Sequence, residues 1–356
     1  MARRIIHIIG SGTIADPLIG ILGRKRDKLG IDEITFQPDI EALQNKILVK
    51  GLTATGAKLC VDKKHADAFA SQGLKVEYDE HEALDRAMII IDCTRNSPID
   101  ERKYEIYRQL PYADKLFIAQ STTPNFGKDF AYFINDASLV HGEDHFLRIS
   151  SCNSHNIAAL IKCLTMDKSE QCHLSWGRFV CIRRSSDLSE EQNYVPSPTV
   201  DIHKDMSFGT YQGADVARLF ESIGYNLDIH CSSLKVNTQY LHTVHFSVQL
   251  DHKITLPEII DKMEEDPLIA LTNKRMAGTV LAFIREMGYQ GRILNQSVVS
   301  VPSLQIVNDN EITGFSFSPQ DGNSILSSIA AALWFLYPKT YQKKIEQLHE
   351  FLFPEV

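Results

Sequence analysis

Cys152 stands in the stretch RISSCNSHNIAAL, between Ser151 and Asn153 and just ahead of apolar positions Ile157, Leu160, Ile161 and Leu164. That spacing predicts a helix beginning near Asn153 or Ser154. A thiol at a helix start meets free N–H groups and the positive end of the dipole, which favour the nucleophilic thiolate. The same residues also suit a plain cap by Ser151 or Asn153 with Cys152 inert. Further on, YLHTVHFSVQL at 240–250 alternates as a strand, placing Tyr240, His242, Val244, Phe246, Val248 and Leu250 on one face. His242 is then the single imidazole in an apolar row, and His245 points the other way. Either can be a general base or a buried histidine satisfied by a hydrogen bond.

Two further groups bear on charge. RFVCIRRSSD ends a strand in Arg183 and Arg184, which project to opposite faces; each can hold a phosphate or carboxylate, or serve in an ordinary salt bridge. RIIHIIGSGTIADPLIG runs an apolar strand into Gly10-Ser11-Gly12-Thr13-Ile14-Ala15. Glycines there permit a tight turn and close backbone approach to a pyrophosphate at the next helix's N-terminus. The end of the second strand, EITFQPD, lacks the acid that usually meets a ribose, since Asp39 lies past a proline.

These groups need elements to position them. The first third of the chain sets short apolar runs (RIIHII, DEITF, KLCV, KVEY, AMIIIDC, KLFIAQ) between helical stretches, the rhythm of parallel strands with crossover helices. From about residue 176 longer alternating strands follow: RFVCIRR, LDIHCSSLKV, YLHTVHFSVQL, SVVSV and LQIVNDNEITGFSFS, and this half reads as antiparallel. The polar stretch from Ser185 to Gly213 is the one long candidate functional loop. The chain closes with two helical pieces split at Pro338.

At 356 residues the chain is longer than one core usually supports, so two domains are expected. With 44% hydrophobic and 23% charged residues it has a globular composition, and no run approaches the roughly 18 apolar residues of a membrane span. The opening MARRIIHIIGSG is broken by glycines too early for a signal segment and reads as strand one. Seven cysteines without a paired framework point to reduced thiols in the cytoplasm and to no structural metal. A net charge of -8 argues against broad nucleic-acid binding.

Taken in order, GSGTIA, PDIEAL, AMIIIDCT, SSCN, CIRRSSD, QGADV at 212–216, NTQYLH, LPEIIDKMEEDP and NDNEI make the chain resemble glyceraldehyde-3-phosphate dehydrogenase of the archaeal, class II type. The resemblance implies a Rossmann-like doubly wound cofactor domain over 1–151 and an α+β catalytic domain with a mixed or antiparallel sheet over 152–319. Helices within 320–356 then pack back on the first domain, and four copies assemble as a homotetramer. It implies Cys152 as nucleophile and His242 as base. Ser151, Asn153, Ser154, Arg183, Gln212 and Gly213 are then substrate-binding. Gly10, Gly12, Thr13, Ile14, Thr94, Ser121 and Arg184 hold NAD or NADP. Implied partners are a phosphorylated aldehyde and inorganic phosphate, with no nucleic acid and no membrane. A phosphorylating semialdehyde dehydrogenase and a non-catalytic nucleotide-binding derivative are the rival readings.

The chain departs from that pattern in several places. The family's Thr-Thr-Gly after the Cys-Asn pair becomes Ser154-His155-Asn156, and its His-His-Gly becomes Tyr211-Gln212-Gly213. Its Gly-Gly-Glu turn becomes Ser121-Thr122-Thr123. The Lys-Thr-Arg-Pro segment, whose lysine meets a 2'-phosphate, becomes Thr35-Phe36-Gln37-Pro38, which moves the expectation from NADP toward NAD.

Overall fold

The computed structural model describes residues 3–94, 99–111, 113–120, 125–187 and 194–356. The chain divides into two units, Met1–Tyr132 with Leu139–Ile149 and Ile325–His349, and Phe133–Ser138 with Ser150–Ser324 and Glu350–Val356. The fold is α/β, with a Rossmann-like parallel sheet in the first unit and a mixed sheet in the second.

In the first unit the strands are β1 (Ile5–Ile9), β2 (Glu33–Gln37), β3 (Lys58–Val61), β4 (Tyr78–Asp79), β5 (Ile89–Asp92), β6 (Leu116–Gln120), β7 (Lys128–Phe130) and β8 (Phe146–Ile149). All pair in parallel in the order β4-β3-β2-β1-β5-β6-β8-β7. Their apolar runs are continuous rather than alternating because both faces are covered, as Ile6, Ile8, Ile89, Ile90 and Ile91 show by their complete burial. The strand order reverses between β1 and β5, the switch point at whose carboxyl ends ligands bind in such sheets. Gly10 lies there with φ +108°, and a Cβ on it would come within 3.3 Å of the Cys93 and Thr94 backbone. β7 and β8 are absent from the sequence reading because three- and four-residue strands carry too little pattern. What pins them is the buried Arg148, whose guanidinium donates twice to the Asp129 carboxylate at 2.5 and 2.8 Å.

In the second unit β9 (Leu174–Arg184), β10 (Thr199–Val200), β11 (Ile229–Val236), β12 (Thr243–Leu250), β13 (Ile269–Thr272), β14 (Ser297–Ser300) and β16 (Glu311–Phe317) form one sheet, and β15 (Gln305–Val307) pairs with β16. The order is β10-β11-β9-β12-β16-β14-β13. β9 with β11 and β13 with β14 are parallel, so the sheet is mixed, within the mixed or antiparallel sheet that the resemblance implies. Parallel neighbours need a crossover, and the helices Tyr211–Glu221 and Ala277–Met287 supply one for each pair. The helix Cys152–Thr165 packs on β9, β12 and β14. The apolar row of β12, Val244, Phe246, Val248 and Leu250, is fully buried.

The chain's end is shared between the units. Helices within Ile325–His349 belong to the first unit, whereas residues 350–356 join the second: Glu355 bridges Leu271, and the Thr272 hydroxyl donates to the Val356 carbonyl. Among the described residues no helix is long and apolar enough to cross a membrane.

His7 sits wholly buried in β1, its Nδ1 2.8 Å from the Thr35 hydroxyl, and burial lowers its pKa from 6.5 to about 4. The unfolded chain takes up that proton near pH 6.5 and the folded chain only near 4, so the neutral ring's contribution is complete above 6.5 and is lost as pH falls to about 4. Denaturant titrations should show about 3 kcal/mol of stability disappearing across that window. A His7→Gln variant should lose this dependence; an unchanged slope would remove His7 as its source.

Candidate active site

The helix that carries Cys152 starts one or two residues earlier than its periodicity suggests. Ser151 is its N-cap, with Oγ accepting the Ser154 N–H at 3.2 Å, and Cys152 is the first helical residue. Ser151 thus caps the helix and Cys152 occupies its first position, a placement that both readings of this stretch share. The Asn323 amide donates to the Cys152 carbonyl at 2.8 Å and to the Gln296 carbonyl at 3.3 Å, fixing the first turn from outside.

His242 lies immediately before β12, and the strand begins at Thr243, so Tyr240 stands 51% exposed rather than in the apolar row. The His242 carbonyl accepts from Ser318 N at 3.0 Å. Its ring brings Nδ1 to 3.7 Å from Cys152 Sγ and 3.2 Å from Asn153 Oδ1. His245 instead faces the Thr313 hydroxyl and the edge of Phe315, and His155 is buried with Nδ1 on the Ser151 carbonyl. Of the imidazoles considered from sequence, His242 is the one the structure brings to the thiol.

Two carboxamides fix how that ring is used. Gln320 Oε1 accepts the His242 backbone N–H at 3.1 Å, so the amide's NH2 end faces the ring and donates to Nε2, also at 3.1 Å. Asn153 Oδ1 accepts from the Ser318 hydroxyl at 2.8 Å, and that hydroxyl in turn accepts from Asn156 at 2.9 Å. Asn153 thus turns its acceptor toward Nδ1. Both amides require the same tautomer, with the proton on Nδ1 and the lone pair on Nε2. In this arrangement the ring donates toward Cys152 and stabilises a thiolate. Using Nδ1 as a base requires the Gln320 amide to turn over or withdraw. Sequence analysis does not single out Gln320 and Ser318, because nothing in the local SPQDG pattern ties them to residues 153 and 242.

The remaining candidates divide by environment. Ser154 is buried and its hydroxyl donates to Asp215 at 3.2 Å, an internal bond that ties its helix to Tyr211–Glu221. Gly213 faces backbone: a Cβ there would stand 2.3 Å from the Phe208 carbonyl oxygen, so glycine serves close packing. Gln212 is fully buried, and neither end of its amide has a hydrogen-bond partner among the described residues. Arg183 and Arg184 are ion-paired to Asp201 and Asp187, the ordinary salt-bridge reading of both. Near them, burial pushes the Tyr211 phenol up to about 12, with Arg183 opposing and Cys152 adding to the shift.

In the first unit Gly10 and Gly12 both have positive φ, and the space beside Gly12 is open. They line a cavity of about 210 Å³ with Ser11, Asp16, Phe36 and Glu41 among its walls. Among the described residues no lysine or arginine lines it. Thr13 lies in the same turn, and the buried Ile14 is the cap position of the helix Ala15–Leu29, leaving only its backbone for a ligand. Thr94 lies two residues past β5 with its N–H and hydroxyl on Asp92, at 2.8 and 2.6 Å, while Lys103 and Tyr107 also hold that carboxylate. Ser121, with Thr122 and Thr123, lies outside the described residues, as do 188–193 of the long polar stretch.

Over 338 residues the chain is 24% identical to the glyceraldehyde-3-phosphate dehydrogenase of Methanobacterium formicicum, covering 92% of each. It is 23% identical over 341 residues to that of Methanothermus fervidus, again 92% of each, and 22% identical over 299 residues to that of Archaeoglobus fulgidus, with 81% and 80% covered. No protein-family profile matches the chain.

Replacing Gln320 with glutamate puts a charged acceptor on Nε2 and should favour the doubly protonated ring. The His242 titration followed by NMR should rise by about one pH unit or more. Gln320→Leu should leave the fold intact but weaken the tautomer preference, with Asn153 alone left to hold it. Identical titration curves in all three proteins would contradict the amide's role.

Proposed function

We propose that the protein oxidises a phosphorylated aldehyde, glyceraldehyde 3-phosphate, to an acyl phosphate with NAD and inorganic phosphate. The observation that carries this reading is the pairing of a helix-start thiol with an imidazole 3.7 Å away, at the two positions that match the family's nucleophile and base. Similarity to glyceraldehyde-3-phosphate dehydrogenases over nearly the whole chain supports it.

The glycine turn at the end of β1, with an open space and cavity beside it, suits a dinucleotide. Gly10, Gly12, Thr13 and Ile14 would hold its pyrophosphate by backbone, with Thr94, Ser121 and Arg184 as further contacts. The Asp16 and Glu41 carboxylates in the cavity wall disfavour a 2'-phosphate there, which supports NAD. When bound, the nicotinamide ring accepts a hydride.

Cys152 Sγ adds to the aldehyde carbon, and the carbonyl electrons move to oxygen, where backbone N–H groups at the helix start stabilise the charge. That oxygen takes up the proton that the Cys152 thiol gave up on ionising, which completes a thiohemiacetal. Once the Gln320 amide turns over, so that Nδ1 carries the lone pair, His242 takes the hydroxyl proton there as hydride leaves the carbon, forming a thioester on Cys152. A phosphate oxygen attacks the thioester carbon, the C–S bond breaks, and the thiolate returns. Ser151 and Asn153 hold the pair in place. The unpartnered Gln212 amide is ready for a polar substrate group, which explains an otherwise costly buried carboxamide. Arg183 would meet phosphate by exchanging it for Asp201.

The assembly proposed is a homotetramer in the cytoplasm. Val200, Ile202 and Met206 stand 78%, 80% and 101% exposed in the single chain, apolar side chains that a subunit contact would cover. A native-mass measurement reads this directly.

Cys152→Ser should abolish turnover while leaving the circular dichroism spectrum and melting temperature intact; retained aldehyde oxidation would eliminate the thioester route. His242→Asn should slow the chemical step by roughly a hundredfold or more. In a coenzyme comparison with glyceraldehyde 3-phosphate, NAD should outperform NADP by about tenfold in kcat/KM, the scale of one unfavourable charge contact. A preference for NADP would contradict the reading of the acidic cavity. Omitting phosphate should stop acyl phosphate formation, and a product unaffected by phosphate would identify water as the acceptor.

A further inference from the structure

Outside the Cys152 site, His173, Asp251 and His252 converge at the surface of the second unit. Each offers one donor atom, and the three atoms lie within 4.8 Å of one another. His173 Nδ1 is 3.1 Å from Asp251 Oδ1, His252 Nδ1 is 2.8 Å from the same oxygen, and the two rings meet edge to face. The backbone holds this in register: His173 N donates to the Thr165 carbonyl at 2.8 Å, and Asp251 N donates to the His173 carbonyl at 3.1 Å.

His173 has a carboxylate at both ring nitrogens, because Asp167 Oδ2 lies 3.5 Å from Nε2. A neutral imidazole carries one proton, so it satisfies one carboxylate and turns a lone pair on the other. With that proton on Nε2, the Nδ1 lone pair and Asp251 Oδ1 face one another, and either a second ring proton or a cation at Nδ1 fills the space between them. Nε2–H then donates to Asp167, the carboxylate-histidine-metal arrangement that orients metal-binding imidazoles. Asp167 is held for this task, since its Oδ1 accepts from Ser169 N, the Ser169 hydroxyl and Gln171 N at 2.8, 2.7 and 2.9 Å, leaving Oδ2 for the ring.

We propose that His173, Asp251 and His252 form a binding site for a divalent transition metal, zinc or cobalt by donor type, with water completing a tetrahedron. Two imidazole nitrogens and one carboxylate oxygen select such ions over magnesium or calcium, which prefer oxygen throughout. The site has a structural consequence. His173 ends the loop that leaves the helix Cys152–Thr165, and Asp251 follows β12, the strand that begins beside His242. The two elements that start at the thiol and the imidazole would thus be joined at their far ends by one ion. The proposal is independent of the chemistry at Cys152.

The test titrates cobalt and zinc into the metal-free full-length protein, followed by absorption, calorimetry and melting temperature. One equivalent should bind with the d–d spectrum of a tetrahedral nitrogen and oxygen site and no thiolate charge transfer, and zinc should raise the melting temperature. His173→Ala and His252→Ala, both near the surface, should each abolish the spectrum and the thermal shift. Asp167→Asn should weaken binding by roughly 10- to 100-fold, the scale reported for losing such an outer carboxylate. Equal affinity in His173→Ala, a thiolate charge-transfer band, or non-saturating binding characteristic of an adventitious ion only would each overturn the proposal.

Discussion

The arrangement at the candidate site depends on one constraint: the His242 imidazole is held from both sides by carboxamides whose orientations are themselves fixed. Gln320 cannot present its oxygen to the ring while that oxygen accepts the His242 backbone N–H. Asn153 cannot present its NH2 while its oxygen accepts from Ser318. The ring's tautomer is thereby decided by neighbours more than two bonds of chemistry away, and so is the face it offers to Cys152. Low local dielectric makes such a chain of buried amides and hydroxyls strong when every member is satisfied and costly when one is not.

The same logic separates the other polar groups. Ser154, Arg183 and Arg184 have partners within the protein, so a ligand that used them would have to displace Asp215, Asp201 or Asp187. Gln212 is the reverse case: fully buried, with both amide ends unmet among the described residues. A group of that kind either costs stability for nothing or awaits a ligand, and its place on the helix packed against the Cys152 helix gives the second explanation substance. Gly213 illustrates how neighbouring positions in one motif can have different causes, since a Cβ there would meet the Phe208 carbonyl whether or not a ligand binds.

Resemblance placed residues such as Gln212 and Gly213 in the site without distinguishing these roles. Hydrogen-bond partners, which made the distinction, are properties of side chains brought together from distant parts of the chain. Residue types at 35–38 and 154–156 already showed departures from the archaeal pattern. The cavity beside the glycine turn sets Asp16 near Glu41, from segments that sequence order does not associate.

The sequence by itself determined what local rules control. Continuous apolar runs specified the parallel strands of the first unit, the spacing after Cys152 specified its helix, and the glycines after β1 specified the turn. Tertiary structure decided what depends on register and on contacts across long separations. It made β9 and β11 parallel, returned residues 350–356 to the second unit, added β7 and β8 through a buried Arg148–Asp129 pair, and set Gln320 on His242. Periodicity reports which face a residue occupies, whereas a hydrogen bond between residues 242 and 320 exists only after β12 and β16 have paired and carried their ends together.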